Sequence, residues 1–173
     1  MSVEPAKYVT RIYLDYQAST PMDDRVLQVM IPLMTEGVGN PSSQHWAGRR
    51  ASRLLEEYRS NLANLLQVKS EDVIFTSGAT ESINIALLGV AKGLIKKGKH
   101  IITSQIEHKA VLETCDYLEN IGFEVSYLTV DSNGYVDLSD LENAIRKDTT
   151  LITIGHANNE IGVIQNIVEI GPG

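Results

Sequence analysis

Cysteine is almost missing from this chain. Cys115 stands alone among 173 residues. One thiol excludes a disulfide within the chain and a thiolate metal cluster built from a single copy. It fits a reducing compartment. No apolar run approaches the roughly 20 residues needed to span a bilayer. The start, Met1-Ser2-Val3-Glu4-Pro5, lacks the charged-then-apolar pattern of a secretory signal. Basic residues are in deficit, with 15 against 22 acids and a net charge of -7. That deficit argues against non-specific nucleic-acid or membrane-surface binding, because phosphate-rich partners need basic patches. The densest basic stretch, Lys96-Lys97-Gly98-Lys99, reads as a solvated helix end. There is no internal repeat and no low-complexity tract. These absences predict a soluble, cytoplasmic protein without nucleic-acid or membrane partners.

What is present is globular. Hydrophobic residues make up 43% and charged residues 21%, enough apolar surface for a core of ordinary size. Ile12 to Tyr16 is a short β-like run. Asp23 and Asp24 open a helix carried by Val26, Val29, Met30, Leu33 and Met34 at helical spacing. Gly37, Gly39, Asn40 and Pro41 break it. Ala47, Ala51, Leu54, Leu55, Tyr58, Leu62 and Leu65 predict a second helix over 46–66. Val73-Ile74-Phe75 reads as a buried strand. Thr80-Glu81 opens a helix to about Lys97, closed by Gly98. Strands follow at 100–103, 124–128 and 151–154. Helices fill 107–122 and 137–146, and a helix starts within 164–170. Strands alternating with helices of ten or more residues require crossover connections. The prediction is therefore an α/β fold of three layers, a mostly parallel sheet flanked by helices.

Three polar clusters follow three of these strands. Thr76-Ser77-Gly78-Ala79-Thr80-Glu81 is a tight turn into a helix, where free backbone N–H groups attract an anion and Thr80 adds a hydroxyl. The same residues also fit a plain capping turn. His108 stands at the next helix start, where an imidazole can lie on a flat cofactor and move protons near neutral pH. It also fits a surface histidine bonded to Glu107 or to backbone. His156-Ala157-Asn158-Asn159-Glu160 places two amides, an imidazole and a carboxylate after a buried run, which is costly unless they bind something or one another. A polar turn is the alternative. If the strands are parallel, all three clusters share one sheet edge, where open α/β sheets gather their ligands. Cys115, flanked by Val111, Leu112 and Leu118, reads as a buried, inert thiol. His100 reads as structural. His45, Asp15, Ala18, Ser19, Thr20 and Asn40 are further residues that could reach the site.

Five stretches together resemble the N-terminal half of a fold-type I pyridoxal-phosphate enzyme of the class V aminotransferase kind, and specifically a cysteine desulfurase. They are Tyr13 to Pro21, Gly39-Asn40-Pro41-Ser42-Ser43, Thr76 to Glu81, Glu107 to Leu112, and His156 to Gly162. The resemblance implies that Ala79 and Thr80 bind the phosphate of pyridoxal 5'-phosphate. It implies that His108 stacks on the cofactor ring and shuttles protons, and that Asn159 bonds the ring's phenolic oxygen. The reaction it implies takes sulfur from L-cysteine, leaving L-alanine and an enzyme persulfide for iron–sulfur assembly or thiolation. The family's anchoring lysine, its ring-nitrogen Asp, its persulfide cysteine and its carboxylate-binding Arg have no counterpart here. A complementary C-terminal half is therefore expected, with a homodimer as the working state and a sulfur acceptor or scaffold as partner. On this view residues 1–40 are an arm and helix, and residues 41–173 part of the cofactor-binding large domain. The alternative is a non-catalytic interaction or dimerisation module.

Overall fold

The computed structural model describes residues 12–36 and 39–171. Its chain divides into two compact units, Met1–Ile74 and Phe75–Gly173. The arm expected to end at residue 40 and the long helix after it thus fall in one unit.

In the first unit, helix α1 spans Asp24–Thr35. Asp23 caps it, its carboxylate accepting from the Arg25 N–H at 2.8 Å. None of its described residues is buried. Helix α2 spans Trp46–Leu66, the bounds expected from its apolar period. His45 Nδ1 accepts from the Gly48 N–H at 3.4 Å and caps that helix. Gly37, expected to break α1, lies outside the described residues. Two expected strands do not form. Residues 12–16 lead into a turn in which Ala18 N and Ser19 N donate to the Asp15 carbonyl. Val73 is buried, but its N–H closes a 3-10 turn over Ser70–Asp72 and its carbonyl accepts from the Arg59 guanidinium. A strand exists only through its ladder, and the three-stranded sheet of the described residues does not include Val73-Ile74-Phe75. Ile74 and Phe75 are exposed.

The second unit is the α/β body. Helix α3 covers Ala79–Gly93, strand β1 His100–Ser104, helix α4 Lys109–Asn120 and strand β2 Glu124–Leu128. Helix α5 covers Leu138–Ala144, strand β3 Thr149–Thr153 and the short helix α6 Ile167–Ile170. The sheet order is β2-β1-β3, and both pairings are parallel. Pairing runs from His100 opposite Glu124 to Ser104 opposite Leu128. On the other side His100 meets Thr149 and, after an irregularity, Ile101 meets Leu151.

Strand alternation sorts the core into two faces. Ile101, Val125 and Leu151 pack with Ala91 and Leu118 of α3 and α4, and Val125, Tyr127 and Leu151 also meet Leu87, Val111 and Cys115. Ile102, Leu128 and Ile152 pack on the opposite face with Leu141 of α5 and Ile170 of α6. The unit is thus helix, sheet, helix, as expected. β1 is buried along its whole length because both faces and both edges are covered.

Gly98 does not close α3 as expected. Helix α3 ends at Gly93 with Leu94 as its cap. Gly98 lies where the backbone crosses Asp148, and a Cβ there would overlap the Asp148 carbonyl. Gly122, at φ +92°, does close α4, and Gly134, at φ +91°, makes the turn expected at Asn133-Gly134.

Candidate active site

Parallel strands bring their carboxyl ends to one edge, and there the loops leaving β1 and β3 enclose a cleft of about 270 Å³. His108 and Asn159 both line it. Sequence reasoning drew them from different clusters, and the sheet brings them together. Ile83, Ile106, Val111 and Ile154 supply apolar wall, while Glu107 and Asn158 supply polar wall.

His108 is the cap residue of α4 and not part of its first turn. Its Nδ1 accepts from the Ala110 N–H at 3.1 Å. That bond fixes Nδ1 as an acceptor, so a proton on the neutral ring sits on Nε2. The side chain is exposed to the cleft.

The loop 156–165 that carries Asn159 folds back on itself. Asn158 N donates to the Val163 carbonyl at 2.9 Å, Gly162 N to the Asn158 carbonyl at 3.0 Å, and Gln165 N to the His156 carbonyl at 2.7 Å. Ala157 and Ile164 form an antiparallel bridge. Gly162 turns at φ +75°, a conformation that favours glycine. The Asn158 amide Nδ2 reaches the Ile106 carbonyl at 2.8 Å, while its Oδ1 accepts from the N–H groups of Glu160 and Ile161. Gln165 is 4% exposed. It donates to the Gly134 carbonyl at 2.7 Å and accepts from Val136 N at 3.2 Å.

Ala79 and Thr80 open α3, whose Ile83 lines the cleft one turn further on. Gly78 caps this helix without a side-chain bond. Glu81 turns back, its Oε2 accepting from Ser77 N at 2.6 Å and Ser77 Oγ at 2.7 Å. The Ser77 backbone bond, then its hydroxyl, hold this carboxyl below its ordinary range. No described side chain caps this helix, and the Glu81 carboxylate instead ties back to Ser77 in the turn before it. Thr80 is left exposed. Among the described residues, the N–H groups of Ala79, Thr80 and Glu81 have no hydrogen-bond partner. The Thr80 carbonyl accepts from Asn84 Nδ2 at 2.9 Å. Thr114 Oγ1 of α4 donates to Asn84 Oδ1 at 3.3 Å. The two helix starts are tied together through that amide.

These residues fit a phosphorylated aromatic cofactor. A helix start with unpartnered N–H groups and a free hydroxyl suits a phosphate. An exposed imidazole beside apolar side chains suits a flat ring.

Cys115 is fully buried, and burial, followed by the charges of Glu119 and Glu107, pushes its thiol up to about 11. It is inert, as expected. His100 is fully buried at the other end of β1 from the cleft. Its ring bridges Thr149 Oγ1 at 2.7 Å and Ser126 Oγ at 2.8 Å. In the first unit, Asn40 Oδ1 accepts from Ser42 N, and the Asp15 carbonyl accepts from Tyr13 Oη. Sequence reasoning missed Asn158 and Glu107 as organisers of the loops. Their signal lay in two otherwise costly polar residues after buried strands.

Among the described residues no helix is long and apolar enough to cross a membrane.

A family model for the class-V aminotransferases matches residues 12–172. A cysteine desulfurase IscS of Dictyoglomus turgidum is 54% identical over 159 residues, covering 92% of this chain and 40% of that protein. One from Photorhabdus laumondii is 53% identical over 163 residues, with the same coverage. The chain thus spans about 40% of the length of these curated relatives. Among solved structures, a NifS-like protein superposes with a TM-score of 0.89 at 46% identity. It covers 93% of this chain and 44% of its own. SspA in complex with cysteine gives 0.85 at 43% identity, covering 91% and 46%. These likenesses carry the fold-type I assignment and its dependence on pyridoxal phosphate. The chain belongs to the class-V aminotransferase family.

Proposed function

We propose that this chain supplies the phosphate-binding and ring-contacting part of a cysteine desulfurase. The observation that carries the reading is a cleft at the carboxyl ends of β1 and β3 lined by both His108 and Asn159, with Ile83, one turn into α3, on its wall. The N–H groups of Ala79 and Thr80, with the Thr80 hydroxyl, bind the phosphate. The His108 imidazole lies against the ring and moves a proton through Nε2, the nitrogen not bonded to Ala110. The Asn159 amide orients the ring's phenolic oxygen. The cofactor, when bound, supplies an electron-poor ring that stabilises negative charge at the substrate carbon. The remaining machinery, an anchoring lysine and a sulfur-accepting cysteine, comes from a complementary C-terminal segment. The substrate is L-cysteine and the products are L-alanine and an enzyme persulfide, in the cytoplasm, for iron–sulfur assembly or thiolation. The working state is a homodimer, or a pairing with that complementary half, which hands sulfur to an acceptor or scaffold protein.

A second reading has its own support. In the first unit none of the described residues of α1 is buried, and Val26, Val29, Ile31 and Met34 along it are exposed, which suits an interaction or dimerisation module.

An absorbance titration of the purified chain with pyridoxal phosphate separates the two. Saturable binding weakened about tenfold by Thr80→Ala and by His108→Ala supports the desulfurase reading. Binding indifferent to both changes, or none, leaves the interaction module.

A further inference from the structure

The cleft is bounded by loops that leave neighbouring strands, so its shape depends on what holds those loops to each other. Glu107 does so from inside the cleft wall. Its Oε1 accepts from Ser104 Oγ at 2.7 Å and from Gly155 N at 2.9 Å, and its Oε2 lies 3.0 Å from the same Gly155 N. Ser104 ends β1, and Gly155 follows β3. The carboxylate therefore staples the exits of two adjacent parallel strands. His108 is the next residue on one side, and Asn159 lies four residues on from the other.

The site is shaped for this contact. A Cβ on Gly155 would stand 3.0 Å from Glu107 Oε2, so the carboxylate would have to give by a few tenths of an ångström, enough to strain its short bonds to Ser104 and Gly155. A carboxylate offers only acceptors, and the groups facing it are donors. Glutamine would turn an NH₂ toward one of them. Aspartate would lose a methylene of reach. The Asn158 bond to the Ile106 carbonyl makes a second, neutral link between the same loops, one residue before Glu107.

The geometry points to Glu107 as a positioning residue, whose carboxylate locks the β1 exit loop to the β3 exit loop and so sets His108 opposite Asn159. The inference rests on the cofactor reading of this cleft. Glu107 acts through its neighbours, and its oxygens are committed to Ser104 and Gly155.

The test uses the full chain as wild type, Glu107→Gln, Gly155→Ala and Ser104→Ala. Two quantities are read on each: amide exchange across 155–163 with the β1 and β3 amides as internal control, and the pyridoxal phosphate titration. Glu107→Gln and Gly155→Ala should each speed exchange of the loop amides and weaken cofactor binding, both by about tenfold or more, with the strand amides unchanged. Gly155→Ala alters no charge, so agreement between the two variants assigns the effect to position. Ser104→Ala keeps the Gly155 bond and should change either quantity by less than about threefold. A loosened loop with unaltered cofactor affinity overturns the proposal, as does an unaltered loop in both variants. If wild type takes up no cofactor while both variants loosen the loop, the desulfurase reading fails and the lock stands.

Discussion

At the residue scale, two buried polar side chains in β1 behave in opposite ways. Thr103 is fully buried on the face shared with Ile101, and its Oγ1 is the one buried side-chain polar atom without a partner among the described residues. An unpaired buried hydroxyl costs free energy that its methyl replacement does not. Thr103→Val should raise stability by about 1 kcal/mol, seen as a higher urea midpoint at unchanged slope. His100, in contrast, is fully partnered and neutral. Burial, then the charge of Arg146, holds its imidazole below the ordinary value, with Asp148 and Glu124 opposing. The unfolded chain therefore takes up a proton first. This contribution leaves stability unaffected above about pH 6.5, and stability falls as pH drops from there toward the lower folded value. Urea midpoints at pH 7.5 and 5.5 should differ in that direction, and His100→Gln should shrink the difference.

At the element scale, the loop 156–165 has a rigid neighbour. Gly134 adopts φ +91°, and a Cβ there would lie 2.7 Å from Ile161 Cδ1 and 3.4 Å from Val163 Cγ1. The isoleucine tip can swing aside, but the left-handed backbone cannot be relieved. Gly134→Ala should cost about 1–2 kcal/mol. It should also speed amide exchange at 161–165, because Gln165 bonds the Gly134 carbonyl. Much at this scale was legible. Helix α2 follows its apolar period to both ends, and Asp137 caps α5 as its position suggests. Val73-Ile74-Phe75 was not legible, because composition reports a liking for strand and says nothing of whether a ladder partner exists. Strand β3 begins at Thr149, before the apolar run, because pairing with His100 recruits the two threonines.

At the scale of the whole molecule, the sheet could be anticipated from alternation alone, and with it the gathering of His108 and Asn159 at one edge. The lock between Glu107 and Gly155 could not. It joins residues 48 positions apart, and no local period encodes a bond across that span. Glu81 shows the same limit over a short distance. Its spacing suits a helix start, yet its carboxylate turns back to Ser77 and leaves Thr80 open.

The central place of β1 also bears on how the chain is made. Both of its ladder partners in the described sheet are encoded after it, so on the ribosome this strand emerges before either can pair with it. At roughly 5–20 residues per second, the stretch from residue 104 to residue 128 takes about one to five seconds to appear. Strand β3 comes later still. During that interval α3 is already made and can cover Ile101, whereas Ile102 waits for α5 and α6 on the other face.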